Sequence, residues 1–126
     1  MFKKTVPILR SFDEAMARAF YVDFLGFEVQ FEHRFSDDLP LYMGLVKDGC
    51  EIHVSEHFGD AAPGCHVRLE MTGLADYVEG LRNKAHKFAR PGNPKEQPWG
   101  ILEIAIADPF GNRITFVETI ARQRDN

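Results

Sequence analysis

The sequence predicts an α+β protein in which two βαβββ modules form a curved mixed sheet. One strand, one helix and three further strands are indicated in each half of the chain, in the same order. Each half has one helix, which covers one face of a sheet and leaves the other face to a second sheet or a cleft. An offset of 62 residues supports the duplication, since it aligns Ile52 with Ile114 and Glu56 with Glu118.

Length and composition favour a single domain over residues 1–126, with module 1 at about 1–58 and module 2 at about 65–120. The net charge of −4 and the lack of a Lys/Arg patch argue against nucleic-acid binding. No apolar run approaches the roughly 20 residues of a membrane span, and no signal peptide is recognisable, which predicts a cytoplasmic protein. Without CxxC spacing, Cys50 and Cys65 are expected to be free thiols.

The first module begins with a predicted strand at 5–10 and a helix at 14–24. Ser11 or Asp13 is placed to cap this helix, and Gly26 to end it. Three- and four-residue spacing predicts one apolar face for the helix. That face comprises Ala15, Met16, Ala19, Phe20 and Val22.

The remaining strands are indicated by alternating apolar and polar residues, or by short apolar runs between turn residues. They are predicted at 27–32, 41–46 and 50–56 in module 1, and at 65–71, 87–90, 101–107 and 114–117 in module 2. A helix at 74–84 follows the first strand of module 2, and a Pro- and Gly-rich loop is expected at 91–98.

The last two strands form a predicted hairpin whose turn, residues 108–112, reads Asp-Pro-Phe-Gly-Asn. Its proline presets φ, and Gly111 or Asn112 can adopt a positive φ. The only tryptophan, Trp99, stands just before this hairpin. We expect Trp99 at the mouth of a ligand cleft, and the alternative is a loop anchor packed under its own hairpin.

Strand parity predicts which side chains face away from the helices and into a cleft. The residues expected on that face are Val6, Ile8, Tyr42, Gly44, His53, Ser55, His66, Arg68, Glu70, Glu103, Ala105, Arg113, Thr115 and Val117. Such a face has two histidines and mixed charge, with aromatic residues near its rim, which is typical of a small-molecule site. The alternative is a solvated sheet face.

Three parts of the chain carry a resemblance to a known superfamily. They are Val6-Pro7-Ile8-Leu9, Phe20-Tyr21 with Leu25-Gly26-Phe27, and the turn at 108–112. These segments resemble the vicinal oxygen chelate superfamily, which contains glyoxalase I, extradiol dioxygenases and bleomycin resistance proteins. The resemblance implies the glyoxalase/bleomycin resistance fold.

Residues 96–100 and 108–118 are similar, more specifically, to bleomycin-binding resistance proteins. This resemblance implies a homodimer that sequesters a small aromatic, cationic antibiotic in clefts at the subunit interface, without chemistry and without a cofactor. Trp99 would stack on a flat aromatic group of the ligand. The candidate ligand-binding residues are Trp99, His53, His66, Tyr42, Phe35, Phe58, Ser55, Glu103 and Arg113.

The metalloenzymes of the superfamily place one metal ligand on each of four strands, and the resemblance puts these positions at Val6, His53, His66 and Thr115. Val6 has no donor atom, and a neutral hydroxyl such as that of Thr115 is a poor ligand for a divalent ion. Two histidines fall short of the usual three protein ligands, so no metal is expected.

Two alternatives remain open. In the first, His53 and His66 are metal ligands of a glyoxalase- or dioxygenase-type enzyme, with Glu56, Glu103 or His57 completing a displaced site. In the second, the chain is a fold relative that binds an unrelated metabolite.

Overall fold

The computed structural model describes residues 1–84 and 89–120. In helix α1, one α-helical turn at Glu14–Ala17 continues as a π-helical segment over Arg18–Phe24. The other elements are β1 (Ile8–Arg10), β2 (Glu28–His33), β3 (Tyr42–Lys47), β4 (Cys50–Ser55), β5 (His66–Glu70), α2 (Leu74–Lys84), β6 (Lys95–Gln97), β7 (Ile101–Ala107) and β8 (Arg113–Thr119). The order of one strand, one helix and three strands therefore occurs twice.

Each βαβββ module builds a four-stranded mixed sheet with the same topology. The strand order is β1-β4-β3-β2 in the first sheet and β5-β8-β7-β6 in the second. In both sheets the first strand of the module runs parallel to its last strand, and the other pairs are antiparallel. The predicted fold class is confirmed, with one sheet for each module.

The chain divides into two compact units. The first unit comprises Met1–Cys65 and Pro109–Asn112, and the second comprises His66–Asp108 and the residues from Arg113 onward. No helix in the described ranges is both long enough and apolar enough to cross a membrane.

Helix α1 begins at the predicted cap, because Asp13 Oδ1 accepts a hydrogen bond from the Met16 amide at 2.8 Å. It ends at Phe24, and two residues later Gly26 adopts a φ of +91°, which favours glycine. Its predicted apolar face is wrong in part, since Ala15 is exposed. The buried side chains of α1 are Ala17, Phe20, Tyr21 and Phe24. The π-helical turns, with a bond from the Leu25 amide to the Phe20 carbonyl, change which residues share a face.

Alternate strand residues and one face of each helix supply the buried apolar side chains. In the first unit they include Leu9, Phe20, Phe24, Met43, Leu45, Ile52 and Val54, and in the second unit Leu74, Val78, Leu81, Ile106, Ile114 and Phe116. In the second unit, the Tyr77 ring of α2 meets the Phe116 ring of β8 edge to face, with centroids 5.5 Å apart. Burial on this side of β8 leaves the alternate residues of the strand for the opposite face.

The loop predicted at 91–98 is wrong in part, because residues Lys95–Gln97 form strand β6. Its three polar residues pair only with β7, in the register Lys95 to Glu103 and Gln97 to Ile101. Because this strand lies at an edge of the sheet between two prolines, it has little apolar alternation by which a sequence pattern could find it. The strand predicted at 87–90 lies partly outside the described residues, and the described Ala89 and Arg90 are not in a strand.

The hairpin predicted at the end of the chain is present. Strands β7 and β8 pair antiparallel, and Gly111 adopts a φ of +91° in the turn between them. Asn112 is fully buried within the first unit. Its Oδ1 accepts from the Cys65 amide at 3.2 Å, and its Nδ2 donates to the Arg10 carbonyl at 2.8 Å. The turn therefore contributes a buried polar crosslink as well as a change of direction.

Candidate functional site

A cleft of about 430 Å³ opens on one face of the second sheet. Cross-strand neighbours provide most of its wall, because His66 lies opposite Arg113 and Thr115 lies between Arg68 and Ala105. The lining residues His66 and Arg68 of β5, Glu103 and Ala105 of β7, and Arg113 and Thr115 of β8 are alternate residues of their strands, as strand parity predicts. We call this site the second-sheet cleft. Its polar lining includes His66, Arg68, Lys95, Glu103, Arg113 and Thr115.

Both ring nitrogens of His66 are engaged within the second-sheet cleft. Nε2 lies 2.7 Å from Thr115 Oγ1, and Nδ1 lies 3.3 Å from Arg113 Nη2. A guanidinium can only donate, so Nδ1 must accept from Arg113. The ring hydrogen is therefore on Nε2 and is donated to the Thr115 hydroxyl. The imidazole therefore lies between the Thr115 hydroxyl and the Arg113 guanidinium.

The carboxylate of Glu103 is shared by two donors in the same cleft. Arg68 Nη2 donates to Oε1 at 3.2 Å, and Gln97 Nε2 donates to Oε2 at 3.3 Å. The Arg68 side chain is about half exposed, so this ion pair contributes little to folding stability. Its main effect is to hold both side chains in position on the sheet face.

The second-sheet cleft carries more positive than negative charge. Arg68, Lys95 and Arg113 are cations, and Glu103 is the carboxylate of the lining. Three positive charges and one negative charge leave these four side chains with a formal balance of +2. This local balance opposes the net charge of −4 for the whole chain.

A second polar cluster lies on the first sheet. The Tyr42 hydroxyl lies 2.6 Å from His53 Nδ1, and His53 Nε2 lies 2.8 Å from Glu51 Oε2. Lys4 pairs with the other carboxylate oxygen of Glu51. Since a carboxylate only accepts, Nε2 donates to Glu51, and Nδ1 is left to accept from the phenol.

Phe31 covers this cluster. Its ring is stacked with that of Tyr42, with centroids 6.1 Å apart, and meets the His53 ring edge to face at 5.2 Å. The ring lies over Gly44, where an added Cβ would fall 2.1 Å from Phe31 Cε2. Glycine at this position therefore lets the ring lie flat on the strand and contact both neighbours.

Two pKa shifts follow from the contacts of the cluster. Hydrogen bonds from Lys4 and His53 lower the pKa of the Glu51 carboxyl below its ordinary value of 4.5, and the positive charge of Lys4 adds to the effect. Burial raises the pKa of the Tyr42 phenol, and the negative charges of Asp60 and Glu51 raise it further. The phenol therefore keeps its proton and donates it to the His53 hydrogen bond.

The lowered pKa of Glu51 predicts a pH dependence of stability. A carboxyl whose pKa is depressed by folding stabilises the native state above its unfolded pKa, and the stabilisation is lost as the pH falls through the folded value. We expect Glu51→Gln to lower the melting temperature at pH 7, and this difference from the wild type to shrink below about pH 4.5. Thermal unfolding, followed by circular dichroism between pH 3 and 7, measures the difference in melting temperature between the variant and the wild type.

The control for this series is Glu28→Gln, which removes an exposed carboxylate from β2 of the same sheet. This variant should melt close to the wild type throughout the pH range. A Glu51→Gln deficit that stays constant down to pH 3 would contradict the assignment of the effect to the carboxylate.

The structure separates the sequence-predicted site residues into groups. His66, Glu103 and Arg113 line the second-sheet cleft, whereas Tyr42 and His53 belong to the cluster on the first sheet. Ser55 differs from its expected position, because it is fully buried and donates to Asp60 at 2.7 Å within the first unit.

The three remaining aromatic candidates are exposed. Phe35 is 75% exposed, Phe58 is 94% exposed and Trp99 is 62% exposed. Trp99 lies in the turn between β6 and β7, where the Gly100 amide donates to the Gln97 carbonyl. It is therefore not packed under its own hairpin. None of these three rings lines the second-sheet cleft as the structure describes it.

Sequence reasoning missed several residues of these two sites. Lys95 and Gln97 line the second-sheet cleft, but they lie on β6, which the sequence presents as a loop. Phe31 and Glu51 belong to the cluster on the first sheet. The sequence predicted a strand at 27–32 and gave Phe31 no role in a site, and the β-bulge between Val29 and Phe31 interrupts the alternation of this strand.

The side chains at the four positions implied for a metal do not fit a divalent ion. Val6 has no donor atom, and the Thr115 hydroxyl already accepts from His66. His66 has no free nitrogen lone pair, because its Nδ1 accepts from the cationic Arg113. Within residues 1–84 and 89–120, no group of three His, Cys, Asp or Glu side chains is placed to hold a metal ion.

Solved structures share this fold at low sequence identity. A bleomycin-binding protein complexed with bleomycin aligns with a TM-score of 0.71 and 22% identity, over 93% of this chain and 98% of the other. An antibiotic-binding protein from Streptomyces sp. CB03234 aligns with a TM-score of 0.72 and 19% identity, over 94% and 98% of the two chains. A superfamily member from Sphaerobacter thermophilus gives 0.73 and 22%, over 94% and 98%.

These likenesses concern the fold alone, since all three identities are below 25%. No curated protein matches the sequence. The family model for glyoxalase superfamily proteins matches residues 1–123, which is nearly the whole chain. The chain therefore belongs to the glyoxalase superfamily.

Proposed function

We propose that this protein binds a small organic molecule in the second-sheet cleft and sequesters it without chemical change. The observation that carries the proposal is the cleft itself, about 430 Å³ in volume and lined by polar side chains that already hold one another in position. A pre-formed cavity of this size suits a small ligand. His66 supports binding rather than proton transfer, because both its nitrogens have hydrogen-bond partners.

An aromatic antibiotic of the bleomycin type is the candidate ligand that the shared fold suggests. Support comes from the fold, which is shared with proteins described as bleomycin-binding and antibiotic-binding. Trp99, at the tip of the β6–β7 hairpin, is exposed and free to stack on a flat ring. Phe35, Phe58 and Tyr42 are the further stacking candidates of the proposal.

The proposal includes a cytoplasmic homodimer whose subunits together complete the ligand site. Exposed aromatic side chains of the first unit support it, since Phe12, Phe35 and Phe58 present large apolar surfaces to solvent. The Arg10 guanidinium lies 4.7 Å from the Phe12 centroid and 5.8 Å from that of Phe58. Arginine with aromatic rings is a composition typical of subunit contacts.

Titration with metal-free bleomycin tests the proposed function. Trp99 is the only tryptophan, so its fluorescence reports on the hairpin tip. We expect saturable quenching in the micromolar range, with bleomycin recovered intact by mass spectrometry. The variant Trp99→Phe, followed by calorimetry, should bind more weakly by about tenfold, the loss of one stacking contact.

Three outcomes separate this proposal from the alternatives. No change up to millimolar bleomycin would remove that antibiotic as the ligand. Chemical conversion of the bound compound would contradict sequestration. About one zinc, nickel, manganese or iron ion per chain in protein purified without chelator would favour a metal-dependent enzyme of the same superfamily.

A further inference from the structure

We propose that the second-sheet cleft recognises an organic anion, a small molecule that carries a carboxylate or phosphate group. This inference rests on the proposed function, because it names the charge of the ligand that the same cleft would hold. It departs from the resemblance, which implies a cationic ligand, and for this cleft it favours an anion over a bleomycin-like cation. It is based on three cationic side chains, Arg68, Lys95 and Arg113, that surround one carboxylate, Glu103, whose two oxygens already accept hydrogen bonds.

Arg113 is held in place with most of its donors unused. One Nη2 hydrogen is donated to His66 Nδ1, and no carboxylate pairs with the guanidinium among the described residues. The imidazole in turn is fixed by Thr115. A guanidinium has five N–H donors in a planar fork, so several remain to bind two oxygens of an anion side by side. The His66 contact orients the fork without neutralising it.

The carboxylate in the cleft, Glu103, already has hydrogen-bond partners. Both oxygens of Glu103 accept hydrogen bonds, one from Arg68 and one from Gln97. A cationic ligand would have to displace Arg68 to pair with this carboxylate, while meeting the charge of Arg113. The pairing therefore disfavours a cation and leaves the rest of the cleft electropositive.

Lys95 adds a third cation on the edge strand. It is exposed, and no hydrogen bond or ion pair engages its ammonium group within the described ranges. In the β6–β7 register it lies opposite Glu103. A flexible ammonium beside a fixed guanidinium suits an anion of either carboxylate or phosphate geometry.

Four probes with one aromatic ring separate charge from shape. They are benzoate, phenyl phosphate, benzamide as the neutral match and benzylammonium as the cationic match. Binding is measured by ligand-observed NMR, with dissociation constants from titration. We expect benzoate and phenyl phosphate to bind at least tenfold more tightly than benzamide, and benzylammonium to bind most weakly. Raising the salt concentration from 20 to 500 mM should weaken the binding of the two anions and leave the affinity for benzamide unchanged.

Three variants test which charged side chains determine the preference for an anion. Arg113→Gln should weaken anion binding by about tenfold, the usual scale for one charge-assisted contact. Arg90→Gln is the matched control, since it removes the same charge from an exposed position of the second unit outside the cleft. Glu103→Gln should act in the opposite direction and strengthen anion binding severalfold, because it frees Arg68 and removes the negative charge.

The outcomes distinguish this inference from the proposed function. Equal binding of all four probes, or tighter binding of benzylammonium, would overturn the anion preference and leave sequestration standing. Failure of both anions to bind at 10 mM would also overturn it, while the bleomycin titration still decides the proposed function. Conversion of a bound anion into a product would contradict sequestration and leave the charge preference intact. Stronger binding of phenyl phosphate than benzoate would identify phosphate as the preferred group.

Discussion

Replacing Asn112 with alanine should lower the free energy of unfolding by about 3 kcal/mol, the cost of losing two buried hydrogen bonds and leaving their partners unsatisfied. The Asn112 side chain is fully buried and bonds to the Cys65 amide and the Arg10 carbonyl. Alanine removes both bonds and creates a small cavity. Urea unfolding at pH 7 measures the change.

Two further variants make this test specific. Asn112→Asp keeps an oxygen acceptor for the Cys65 amide but loses the donor to Arg10 and buries a charge, so it should be no more stable than the alanine variant. Asn83→Ala, at an exposed position of α2, should change stability by less than about 0.5 kcal/mol. A loss below about 1 kcal/mol for Asn112→Ala would contradict the role of this side chain as a buried crosslink.

Replacing Glu118 with alanine should lower stability by about 1–2 kcal/mol, the usual cost of losing a helix cap. The carboxylate comes from β8, yet its oxygens accept from the Gly73 amide at 3.1 Å and the Leu74 amide at 3.0 Å, at the start of α2. These amides have no partner within the helix, and the negative charge also favours its N-terminus. Thermal and urea unfolding measure the loss.

Glu118→Gln should retain part of this stability, since the amide keeps one acceptor oxygen but loses the charge. Glu96→Ala, on the exposed edge strand β6, is the matched control and should be close to neutral. Helix content in the far-ultraviolet spectrum should stay near the wild-type value at 20 °C. Equal stability of the wild type and Glu118→Ala would show that α2 needs no cap from β8.

The fold was largely predictable because its signals are local. Turn residues around the β7–β8 hairpin, the apolar spacing of α2 and the glycine at position 26 each specify a conformation within a few residues. Two features were not predictable in this way. Strand β6 depends on its pairing with β7, and the π-helical turns of α1 alter a face that regular spacing predicts.

The sequence predicted the sheet face on which the candidate site lies, but not the contacts between its side chains. Alternation along β5, β7 and β8 is enough to place His66, Glu103 and Arg113 on one face. The hydrogen-bond partners of these residues depend on the register between strands, which the sequence does not state. For the same reason the place of Lys95 opposite Glu103, which raises the formal charge of the cleft from +1 to +2, was not predictable.

The central claim is that the second-sheet cleft holds an intact small molecule. Chemical-shift mapping of backbone amides, with benzoate and then metal-free bleomycin as ligands, tests it most directly. The claim predicts saturable shifts at His66, Arg113 and Thr115, with the ligand spectrum unchanged over several days. Shifts confined to Tyr42, His53 and their neighbours, or new signals from an altered ligand, would contradict it.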